Sequence, residues 1–129
     1  MNLKLLMSIK SVICWVYGLA FLIIPVQILS IYGATISQDG EMTVRLFGAS
    51  FILLAMWLGL ERDTSEVSSM RAVAISVAVG DLLGCAIMVY YLLTGTGNIL
   101  GWFNALLYLL LAIGFGYTLV TEPKGKLAI

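Results

Sequence analysis

The stretch AVAISVAVGDLLGCAIMVYYLL, Ala72–Leu93, decides the fold. Its only charged residue is Asp81. At a rise of about 1.5 Å per residue, about 20 apolar residues suffice to cross a hydrocarbon core of about 30 Å. Three further apolar stretches follow the same rule: Val12–Ile31, Met42–Leu60 and Trp102–Thr121. The reading is an all-α polytopic membrane protein, a four-transmembrane-helix bundle in a single domain over residues 1–129.

Composition agrees with it. Of 129 residues, 61% are hydrophobic and 11% charged, and the mean hydropathy is +1.05. A soluble domain carries about 25% charged residues, so roughly half the usual charge is missing. Seven basic residues balance seven acidic ones, which leaves no electropositive field for nucleic acid. There is no histidine, the commonest acid–base catalyst and metal ligand. Cys14 and Cys85 alone cannot build a four-ligand zinc site. Their separation in depth of roughly 15 Å predicts free thiols. No nucleophile elbow, phosphate loop or HExxH motif is present. No catalytic residue, metal or cofactor is expected, and no enzymatic activity.

Local signals bound the helices. Pro25 is expected to kink or end the first helix, leaving Val26–Tyr32 as a separate segment. Asp39 is a candidate cap for the second span, and Asp63 with Glu66 has capping-box spacing for the third. Asn98 is a candidate cap for the fourth, and Glu122–Pro123 ends it. Met1–Lys10 reads either as an amphipathic segment on the membrane surface or as a helical extension of the first span. The first apolar run is long and has no clean small-x-small site near Ala34, so it reads as a span and not as a signal peptide.

With an even number of spans both termini share a side. That side carries Lys4, Lys10, Arg62, Arg71, Lys124 and Lys126, against Arg45 alone on the other. The positive-inside rule then makes both termini cytoplasmic.

An ionisable residue inside lipid is a functional candidate by default, and inserting Asp81 costs about 2.5–3.5 kcal/mol. Two states are physically sensible: a protonated Asp81 locking helices by a hydrogen bond, or a carboxylate facing a wet cavity that handles protons or cations. Tyr17 and Tyr117 lie at a suitable depth to meet it, as does Ser50. Arg45 differs from Asp81 in depth by roughly 13 Å, too far for a direct salt bridge without tilt. Arg45, Gln27 and Asn104 share a depth near the opposite face and form a candidate ligand or lipid site. The alternative is that Arg45 snorkels and pairs with Glu41 or a lipid phosphate. Small residues recur every four positions at Ala72, Ser76, Gly80 and Gly84, and at Ala112 and Gly116, spacings that let helix backbones approach closely.

Pro25, Tyr32-Gly33 and Arg45-Leu46-Phe47-Gly48-Ala49, followed by an apolar run to Leu60-Glu61-Arg62, resemble small bacterial four-helix inner-membrane proteins of the DUF4345 and DoxX-like kind. The resemblance covers the first half of the chain. It implies the same four-helix fold and a bacterial inner-membrane location. The expected function is a non-enzymatic accessory or self-associating subunit, with the lipid bilayer and a homo-oligomer or larger membrane complex as partners. Two alternatives stand beside it: an oligomeric proton- or cation-linked transporter or channel using Asp81, and a lipid- or quinone-binding protein using Arg45.

Overall fold

The computed structural model describes residues 2–63 and 66–121. It contains five α-helices in the order α1 (Leu3–Ile23), α2 (Pro25–Ile31), α3 (Gln38–Glu61), α4 (Val67–Leu93) and α5 (Ile99–Thr121), with no strand among the described residues. Four of them are long and apolar enough to cross a membrane. The all-α four-helix bundle is therefore as the hydropathy predicts. Glu122, Pro123, Lys124 and Lys126, used above for helix ending and charge asymmetry, lie outside the described residues.

The first boundary differs from its sequence reading. The expected span began at Val12, but α1 begins at Leu3, where the Asn2 side chain caps it by accepting from Leu5 N at 2.8 Å. Leu3, Leu6, Met7 and Lys10 are all buried. The residues before Val12 are thus helix packed inside the bundle, and Lys10 belongs to the core and not to the flank. At the far end, Pro25 has no N–H for the Phe21 carbonyl, and its ring excludes continuation of the helix. α1 stops at Ile23, and Pro25 becomes the first residue of the seven-residue α2.

Caps follow the same local chemistry with two changes of residue. Ser37, not Asp39, caps α3 by accepting from Gly40 N at 3.2 Å; Asp39 and Glu41 sit in the first turn, favourable at the positive end of the helix dipole. Glu66 holds the N-cap position of α4 without a side-chain cap bond, so the Asp63–Glu66 capping box does not form. Asn98 does cap α5, accepting from Leu100 N, and its amide donates to Ile31 O at 2.9 Å, tying the α4–α5 turn to α2.

α1 packs along α3 and α4 along α5, while α3 and α4 barely touch. The α1–α3 crossing is set by Gly18 and Gly48. A Cβ on Gly18 would lie 3.0 Å from Gly48 O, and one on Gly48 would lie 2.9 Å from Gly18 O. No larger residue lets the two backbones approach so closely. In the second pair, Gly84 lies against the Tyr108 ring and Gly101 against Leu92. The two pairs join through a core at the end of the bundle that holds the start of α1: Leu3, Leu6, Met7, Leu58, Met70, Val73, Ala74, Val77, Leu111 and Phe115. Beyond this plug the α3–α4 side is left open, and that opening positions the site.

Candidate functional site

Lys10 and Asp81 form an ion pair, Nζ to Oδ1 at 2.5 Å, inside the bundle. The residues are only 4% and 3% exposed. Lys10 stands on the α1 face that carries Leu3, Leu6, Met7, Cys14 and Gly18 inward, and Asp81 stands on the α4 face that carries Val73, Ala74, Val77 and Ala78 inward. The Lys10 ammonium also lies 5.5 Å from the centroid of the Tyr108 ring on α5, within cation–π range. Three helices therefore meet at one charge. A lone charge here would be costly. The pair is neutral overall, which reduces that cost without eliminating it. Asp81 Oδ2 is buried and accepts no hydrogen bond in the structure.

Two cavities meet at Lys10, and Asp81 lines the first of them. The first, about 260 Å³, is an open-sided cleft between α3 and α4, with Phe47, Phe51, Leu54 and Trp57 on one wall, Ser76, Val77 and Gly80 on the other, and Lys10, Asp81 and Tyr108 at its base. The second, about 230 Å³, runs inside the bundle from Lys10 and Tyr108 to Tyr17, Tyr32 and Asn104. Lys10, Phe47, Phe51 and Tyr108 line both. At the far end of the inner cavity Tyr17 Oη donates to Asn104 Oδ1 at 2.6 Å, Tyr32 Oη donates to the same oxygen at 3.2 Å, and the two hydroxyls lie 3.1 Å apart. Both cavities are otherwise apolar and aromatic, with polar groups at few points, as binding sites for small molecules commonly are.

The site differs from its sequence reading mainly in its partners. Asp81 pairs with Lys10. Tyr17 is engaged instead with Tyr32 and Asn104, and Tyr117 is 58% exposed, its carbonyl accepting from the Thr121 hydroxyl. Ser50 does share the cleft with Asp81, but its hydroxyl donates to Leu46 O on its own helix. The outer cluster does not assemble. Asn104 joins the tyrosines, Gln27 is exposed on α2, and Arg45 binds Glu41 Oε1 at 2.9 Å and the Leu22 carbonyl. The Leu22 carbonyl is one that the break before Pro25 leaves free, so Arg45 caps the end of α1, where a cation suits the helix dipole.

The small-residue positions divide. Gly84 and Ala112 face neighbours, while Ala72, Ser76 and Gly80 are exposed, and Gly116 has open space beside its α-carbon. The tightest backbone approach, Gly18 on Gly48, involves Gly48, which the four-residue spacing does not reveal. Cys14 and Cys85 are free thiols. Among the described residues no group of three His, Cys, Asp or Glu side chains is placed to hold a metal ion. No family model, curated protein sequence or solved structure matches the chain.

Proposed function

We propose that this small integral membrane protein is a non-enzymatic binding protein for a lipid-soluble small molecule. The molecule enters from the bilayer between α3 and α4 and sets its polar group against Lys10 and Asp81. The observation that carries this reading is the buried, unpartnered Oδ2 of Asp81 at the base of an apolar, aromatic-walled cleft. A carboxylate oxygen in that setting costs free energy until a hydrogen-bond donor reaches it. The apolar walls suit a hydrophobic body, and the gap between α3 and α4 is the route from lipid. A cation pathway fits less well, because the Lys10 ammonium already sits on Asp81 and would repel a second cation.

A second reading is self-association, in which a helix of another copy fills the same cleft; the exposed strip of Ala72, Ser76 and Gly80 beside it favours this. Native mass spectrometry of protein released directly from membranes separates the two. The binding reading expects a monomer-based species carrying a small-molecule adduct that disappears in the Lys10→Met/Asp81→Leu double variant. An adduct retained in that variant, or adduct-free protein, would contradict it. Adduct-free dimers would support self-association.

A further inference from the structure

We propose that the ligand of the α3–α4 cleft is a neutral, lipid-soluble alcohol whose hydroxyl bridges Lys10 Nζ and Asp81 Oδ2. This rests on the binding reading above and narrows it to a chemical class. Lys10 carries three N–H donors and uses one on Asp81 Oδ1. Asp81 Oδ2 has accepting capacity and no donor. Of the other hydroxyls on the cleft, Ser50 donates to Leu46 O at 3.2 Å and Ser76 to Ala72 O at 2.8 Å, and that of Tyr108 makes no hydrogen bond to Oδ2. The cleft therefore offers a donating ammonium next to an unfilled acceptor.

A single hydroxyl oxygen meets both needs at once, accepting from Lys10 and donating to Asp81. An ether, ester or ketone only accepts, so it leaves Oδ2 bare. A carboxylate or phosphate head brings a negative charge beside Asp81, and a protonated amine brings a positive one beside Lys10. Either would leave a net charge in a low-dielectric interior where the existing pair is neutral. Phe47, Phe51, Leu54 and Trp57 supply an aromatic and aliphatic wall for the body of such an alcohol.

Trp57 lines the cleft and can report its occupancy. In a Trp15→Phe/Trp102→Phe background it is the only tryptophan. The full-length protein in lipid nanodiscs is titrated with 4-bromobenzyl alcohol, with its methyl ether and with 4-bromobenzoate, each of which quenches tryptophan at contact through bromine. The expected result is saturable quenching by the alcohol at a half-saturating concentration about tenfold below that of the ether and the acid, the scale of one charge-assisted hydrogen bond. That preference should vanish in the Lys10→Met/Asp81→Leu variant, whose apolar replacements preserve packing. Equal quenching by alcohol and ether would overturn the alcohol assignment while leaving a binding site. Tighter binding of the acid would do the same. If no probe quenches saturably, the assignment fails, and the membrane-released adduct decides the binding reading separately.

Discussion

Two of the ion pairs among the described residues, Lys10–Asp81 and Arg45–Glu41, differ in their surroundings, and that difference gives them different roles. Lys10–Asp81 joins α1 to α4 across 71 positions of sequence and is almost wholly buried. Arg45–Glu41 joins successive turns of α3, and its side chains are 44% and 33% exposed. The buried pair must stay intact, because removing either partner leaves a bare charge where no water can solvate it. The exposed pair has alternatives in solvent or lipid headgroups, and such pairs contribute little. The difference teaches that the number of charges says less than the element each one bridges. One pair assembles the bundle and furnishes a polar base for a cleft; the other trims the junction of α1 and α3.

The largest effect expected from breaking this contrast comes from single changes in the buried pair. Lys10→Met or Asp81→Leu should each destabilise the bundle by about 3–5 kcal/mol, read as an earlier transition in denaturing-detergent titrations of purified protein. A loss below about 1 kcal/mol would place the pair with the exposed ones.

The next effect concerns the crossing that brings α1 to its partners. Gly48→Ala should cost about 1–3 kcal/mol, because its methyl would lie 2.9 Å from Gly18 O and Leu22 N and backbone must move. Gly80→Ala, with nothing within 4 Å, should be close to neutral in the same titration. Equal effects would mean that the cleft side is as tightly packed as the α1–α3 crossing.

Smaller still is Tyr32→Phe, which removes a hydroxyl from the Asn104 cluster. It should cost about 0.6 kcal/mol, the average for a hydrogen bond between membrane helices. Glu41→Gln, which removes one charge from the exposed pair on α3, should cost about 0.3–0.5 kcal/mol and lose that effect in high salt. A salt-insensitive loss comparable to that of Asp81→Leu would erase the contrast between the two pairs.

Much of this architecture is legible in the residues. Long apolar runs identify the four long helices because lipid tolerates few charges. Pro25 marks the break, since a missing N–H has the same consequence in any context, and Asn98 marks a cap. Asp81 stands out as an acid in mid-span. Its partner is hidden because Lys10 precedes the first apolar run, and a lysine at such an edge ordinarily belongs to the membrane surface. A signal for it does exist. Leu3, Leu6, Met7, Lys10, Cys14 and Gly18 recur at three- and four-residue spacing, so the inward stripe of α1 passes through Lys10. The place of Asn104 is hidden for a different reason: spacing gives depth along a helix but not the rotation about it. Asn104 shares its level with Arg45, yet it turns toward Tyr17 and Tyr32.

The most direct test of the central claim, that Lys10 and Asp81 are one buried unit, is a double-mutant cycle over Lys10→Met and Asp81→Leu, with stability measured in the same detergent titration. Two strongly destabilising single changes and a double variant close to the parent protein are expected, a coupling of about 3 kcal/mol or more. Single effects that simply add in the double variant would show that the two side chains do not meet, and would contradict it.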